Sequence, residues 1–337
     1  MVTRRYALLP ALLLAACAAV PENGTVASGE RAASGALFVA GKFDNVLSKV
    51  DLATGRVAAQ TDTCGNPHEL AISPDDRHVV LACYGGAGLA IFRTSDLEQV
   101  GYIGLGQGAR PHGVVWHSSG EIFATAEGRQ SIYRVIDPLG RTPETHEFAS
   151  GQRGTHMLAV SPDRRIAWTT DLGSRTVTRI DLSRRQAPVS VEVGEEPEGI
   201  ALSPDGETLW VSARGSDKAF ALDPQTLAVR AEVATGDFPL RIAIRPQGDV
   251  AVTSDLADGG LTVIDLAKGE AMRHIAVSSR EEAEARTQVT ILWSPDGKRI
   301  YAAETRSGTV AEVDFESGRV LRRLPGTGGG DGMAILD

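Results

Sequence analysis

LAISPDDRHVVLA, residues 70–82, joins two apolar stretches through Ser73-Pro74-Asp75-Asp76, and the same plan recurs along the chain. Five further segments align with it: VVWHSSGEIFATA (114–126), LAVSPDRRIAWTT (158–170), IALSPDGETLWVS (200–212), IAIRPQGDVAVTS (242–254) and ILWSPDGKRIYAA (291–303). With Ser73, His117, Ser161, Ser203, Arg245 and Ser294 in register, the spacings are 44, 44, 42, 42 and 49 residues. Each unit reads as an apolar strand, a tight turn and a second strand rich in β-branched and aromatic residues. A third strand ends at Asp, as in TVTRIDL (176–182), LTVIDL (261–266) and VAEVDF (310–315), and a fourth follows a turn such as Glu316-Ser317-Gly318-Arg319. Four antiparallel strands per repeat of this length is the period of a propeller blade.

The two ends settle the blade count. Residues 37–59 supply a second, third and fourth strand without a first, and DGMAILD (331–337) is a first strand with nothing after it. Joined, they complete a seventh blade and close the ring without an exposed sheet edge. The expected fold is therefore all-β, a seven-bladed propeller over residues 35–337. Helical periodicity is confined to SSREEAEARTQ (278–288), which coincides with the longest spacing. GTGGGDG (326–332) lacks the Lys-Ser/Thr of a phosphate loop and reads as the closing loop.

A formal charge of −9 over 337 residues argues against a phosphate backbone as partner, since nucleic-acid binding rests on clustered Lys and Arg. The chain starts MVTRRYALLPALLLAAC, a charged start and an apolar run too short to span a membrane. This stretch resembles a bacterial lipoprotein signal, in which cleavage precedes a cysteine that is then acylated, here Cys17; the alternative is a plain signal peptide. Residues 1–17 are thus expected to be a signal and 18–34 a flexible tether. The resemblance implies a lipid anchor on the periplasmic side of a bacterial membrane. Only Cys64 and Cys83 then remain, and in an oxidising compartment they form a disulfide or serve as thiol ligands.

WTTDLGSRTVTRIDL (168–182) and YAAETRSGTVAEVDF (301–315), with their SPDR and SPDG turns, resemble the YVTN repeat family. These seven-bladed propellers are similar to lactonase-like and cytochrome d1 type propellers, and the resemblance covers residues 35–337. It implies fold rather than chemistry, because the motif residues belong to turns and strands.

The first strand of each blade lies next to the axis, so the residue five before each aligned turn position rings one mouth of the central channel. Around the ring these are His68, His112, His156, Glu198, Leu240, Val289 and Asp331. Three of the chain's seven histidines share one repeat position. Three imidazoles and a carboxylate, His68, His112, His156 and Glu198, suit Zn²⁺ or copper. The plainer alternative has the imidazoles bonding backbone and water. Asp171, Asp255 and Glu304 end second strands on the same face and, with Glu127 and Asp331, are expected to contact a ligand. Arg214 and Arg241 lie within a residue of the mouth. The expected protein is a monomer that binds a small molecule or metal ion there, with an envelope protein as a further candidate partner. Resemblance to lactonase-like propellers implies an alternative, a metal-assisted hydrolase or lyase, with Glu198 or Asp171 as base and Arg214 and Arg241 as further catalytic candidates. A protein-interaction scaffold is the third reading.

Overall fold

The computed structural model describes residues 34–184 and 186–337; the expected signal, Cys17 and residues 18–33 lie outside the described residues. It contains seven four-stranded antiparallel sheets. The innermost strands are Pro67–Ile72, Pro111–Trp116, Thr155–Val160, Pro197–Leu202, Pro239–Ile244, Gln288–Trp293 and Gly330–Leu336, each touching the next around the axis. The two units with degenerate turns, HSSG and RPQG, form blades as regular as the others. The one α-helix among the described residues, Arg280–Arg286, starts at a capping box in which the Ser279 side chain accepts from the Glu282 N–H.

The turns explain why the motif recurs. Ser73 Oγ accepts the His78 N–H at 2.9 Å and donates to Asp75 Oδ1 at 2.6 Å. The Ser161–Asp163, Ser203–Asp205 and Ser294–Asp296 hydroxyl–carboxylate pairs repeat this. The residue after each Asp takes positive φ: Asp76, Arg164, Gly206 and Gly297. Asp and Ser side chains thus replace the hydrogen bonds that a tight reversal leaves open.

Both faces of each blade are buried, because side chains of successive strand residues point to opposite neighbours. In Ala36–Gly41, Leu37 and Val39 pack with Tyr301 of one flanking blade, whereas Ala36, Phe38 and Ala40 pack with Val79 and Leu81 of the other. Seven apolar clusters result, one in each interface between neighbouring blades. Trp116, Trp168, Trp210 and Trp293 are all buried in them.

Ring closure follows the register Ala36↔Leu336, Phe38↔Ala334 and Val39↔Met333. The closing strand also packs on both flanking inner strands. Removing residues 331–337 takes away this ladder and the burial of Met333, a loss of several kcal/mol. The truncated protein is expected to melt roughly 10 °C or more below the full chain. An unchanged melting temperature by circular dichroism would refute closure as a stabilising contact.

Candidate functional site at the channel mouth

Every inner strand breaks its ladder at the same place. Pairing with the second strand slips between Pro67 and Leu70, Pro111 and Val114, Thr155 and Leu158, Pro197 and Ile200, Pro239 and Ile242, and Gln288 and Ile291. The closing strand slips at the equivalent point opposite Val39–Gly41. Each slip is a β-bulge, which puts two residues opposite one and leaves backbone groups without ladder partners. Hydroxyls of the preceding blade take up the freed carbonyls: Thr125 donates to His156 O at 2.6 Å, Thr170 to Glu198 O at 2.6 Å and Ser212 to Leu240 O at 3.2 Å. Some bulges have no room for a side chain at their second residue. A Cβ on Gly332 would lie 2.4 Å from His68 O, and one on Gly199 would lie 2.6 Å from Ile242 N.

The bulge residues that keep side chains meet at the mouth. The rings of His112 and His156 have centroids 3.7 Å apart, and His68 lies 4.7 Å from His112. His156 is held at both nitrogens, by Glu127 Oε1 at 2.5 Å from Nδ1 and Glu198 Oε1 at 3.3 Å from Nε2. Burial alone would lower its pKa, but these carboxylates more than offset that and raise it. His112 is the opposite case: 4% exposed, with no hydrogen-bond partner for Nδ1. Burial, reinforced by the His156 and His68 charges, holds it well below the usual imidazole value, so it stands neutral. His68 is also lowered by burial against the pull of Asp331, and its Nδ1 donates to Asn66 O at 3.1 Å.

Beneath the histidines an ion-pair strap crosses the channel. Arg241 pairs with Glu69 at 2.8 Å, on the far side of the ring, and with Glu198 of the adjacent blade. Arg214 reaches the other oxygen of Glu198 at 2.5 Å. Although burial works the other way, Arg241 and His156 bring Glu198 down to about 2, so it remains a carboxylate. Above the histidines, Tyr84 stacks on His68 at 4.4 Å, and Lys42 donates to Asp331 at 3.1 Å. Cys64 and Cys83 form a disulfide with Cα atoms 5.6 Å apart, tying the loop before His68 to the residue before Tyr84.

The expected residues divide. His68, His112, His156, Glu127, Glu198, Arg214, Arg241 and Asp331 come together at the mouth, and the apolar Leu240 and Val289 are buried in its wall. Asp171, Asp255 and Glu304 do not join them. As the last residues of second strands they turn into their own blades, where Thr178 and Thr176 donate to Asp171, Thr262 and Thr253 to Asp255, and Arg323 and Thr309 to Glu304. The residue that faces the mouth is the next one, because side chains alternate along a strand. That position holds Lys42, Tyr84, Glu127 and Arg214, of which the sequence reading missed Lys42 and Tyr84. It also missed Glu69, the second residue of its bulge. Nor do the three histidines form one ligand set with Glu198. Ligand atoms of His112, His156 and Glu127 lie within 4.8 Å of one another, with His68 outside that group and Glu198 behind His156.

No protein-family model and no curated protein matches the chain. Solved structures do. A protein of unknown function from Desulfotomaculum acetoxidans aligns with TM-score 0.74 and 15% identity over 90% of this chain and 99% of its own. A protein assigned as a 6-phosphogluconolactonase from Bacteroides fragilis aligns with TM-score 0.70 and 14% identity over 90% and 98%. The dihydro-heme d1 dehydrogenase NirN aligns with TM-score 0.65 and 16% identity over 92% and 77%. The chain is a seven-bladed propeller of this architecture; identities this low show the fold alone.

Two measurements probe these polar groups. Arg241→Ala leaves Glu69 and Glu198 buried without their shared cation, and is expected to cost about 3–5 kcal/mol in urea unfolding; a loss below about 1 kcal/mol would show the strap to be structurally idle. Burial raises Asp171 and Asp255 to about 6, outweighing their threonine donors. A folded-state value above the unfolded one gives stability that is full below about pH 4 and lost as pH rises through about 6. Relative to an Asp171→Asn/Asp255→Asn variant, the wild type should therefore gain stability between pH 7.5 and pH 5. A constant difference across that range would contradict the shift.

Proposed function

We propose that the mouth binds a divalent transition-metal ion, zinc or copper, on His112, His156 and Glu127, and a small molecule beside it. One observation carries this reading: His112 is a buried neutral imidazole whose Nδ1 has no hydrogen-bond partner, packed on His156, and His156 is backed by a carboxylate. A histidine ligand normally gives its second nitrogen to such a group, and Glu198, fixed by Arg241 and Arg214, occupies that place. The donor set fits. Zinc bonds of about 2.0–2.1 Å would hold His156 Nδ1 and Glu127 Oε1 roughly 3.3 Å apart. The 2.5 Å pair would thus open by less than about 1 Å as the shared proton leaves.

Three protein ligands leave a further position open, and an ion held that way polarises a carbonyl or activates water. A metal-assisted hydrolase or lyase is therefore the second reading, favoured by neutral His68 at the edge of the same cup. Glu198 and Asp171 are poor bases for it, the first locked between two guanidinium groups and the second enclosed in its blade. The proposed location is the periplasmic side of a bacterial membrane, anchored through Cys17. Strand Ala36–Gly41 enters the propeller on the face that carries the turns, opposite the mouth.

Elemental analysis of untagged protein, after exposure to zinc or copper and desalting, tests the metal. About one ion per chain is expected, and His112→Ala should weaken binding by more than the roughly 10–100-fold that loss of an outer-shell partner costs. Absence of a stoichiometric ion in the folded wild type would end this reading.

A further inference from the structure

Glu127 splits its two oxygens between different neighbours. Oε1 faces His156 Nδ1, while Oε2 accepts the Tyr84 hydroxyl at 2.7 Å. Tyr84 is itself held on several sides. Its ring stacks on His68 and meets the His112 ring edge-on at 5.8 Å, and the Arg110 guanidinium lies 4.5 Å over its face and donates to its oxygen. Its backbone follows Cys83 of the disulfide directly, and the Gly85 N–H donates to Gly65 O across the same junction. A carboxylate oxygen only accepts, so the Tyr84 hydroxyl is the donor of the bond to Glu127.

Resting on the metal reading above, we propose that Tyr84 is a positioning residue that makes Glu127 a one-oxygen ligand and so keeps a coordination position open at the mouth. Carboxylates bind metal ions through one oxygen or both. A hydrogen bond to Oε2 competes with chelation for that oxygen and holds it turned toward Tyr84. An exogenous ligand entering the mouth would pass Tyr84 and His68, which stack on each other there. Losing the Tyr84 hydrogen bond frees Oε2 to swing onto the ion and fill the open position. Tyr84 would thus govern what can bind beside the metal without touching the metal itself.

Cobalt(II) reports the difference, because its visible absorption is strong at low coordination number and weakens as ligands are added. Titrations of the full chain with Co²⁺, followed by azide, would compare wild type with Tyr84→Phe, and melting temperatures would verify that both are folded. The phenylalanine variant should show weaker, shifted visible bands, a change in cobalt affinity of about 10-fold, and at least about 10-fold weaker azide binding than wild type. Glu127→Gln should lose cobalt more severely. Identical cobalt spectra and azide affinities in wild type and Tyr84→Phe would overturn the role of Tyr84 and leave the metal site standing. Failure of the folded wild type to bind either cobalt or zinc would overturn the metal site and this role with it.

Discussion

Seven inner strands converging on one axis cannot all keep a regular ladder up to the channel mouth, and the bulge at the start of each is what the site depends on. It turns two successive residues of a strand toward the axis instead of one, which is how Glu69 and Arg241 come to lie beside the ring begun by His68 and Glu198. It also frees backbone carbonyls that second-strand hydroxyls must satisfy, so Thr125, Thr170 and Ser212 fix the height of the inner strands next to them. These bonds tie the inner strands at the mouth to the blade before them. Anchoring of this kind is what a site needs if its groups are to be positioned by the fold.

The electrostatics follow from that crowding. Glu69, Arg241, Glu198, His156 and Glu127 form one alternating run of charge across the cup, with Tyr84 and Arg110 at its end. Each buried charge has an opposite partner, as burial requires. His112 is the exception, since it is neutral and its Nδ1 is buried without a hydrogen-bond partner. The Arg241 Nε of the same cluster is also buried without a hydrogen-bond partner. Asp171 and Asp255 are equally buried, but threonine hydroxyls within their own blades donate to both; Asp255 also lies 3.7 Å from His274 and, with Asp258 and His274, forms a second group whose ligand atoms fall within 4.8 Å of one another.

What the residues themselves determined was the fold and one ring of the site. The Ser-Pro-Asp turns fix blade spacing because their side chains complete the reversal locally, and the unmatched ends fix closure because an open sheet edge would be left otherwise. The inner ring at His68, His112, His156 and Glu198 was legible because a repeat gives equivalent residues equivalent positions. Only the tertiary structure decided which of these groups act together. Part of the second ring was misjudged by one residue, and alternation along a strand turned that single step into the opposite face, sending Asp171, Asp255 and Glu304 into the blades and bringing Lys42 and Tyr84 to the mouth beside Glu127. The pairing of Arg241 with Glu69 joins blades far apart in sequence, and the exchange of Glu198 for Glu127 beside the imidazoles depends on side-chain directions set by the bulges. Repeat spacing fixes where a backbone position falls around the axis, but the partner of a side chain there is chosen by burial and charge across the channel.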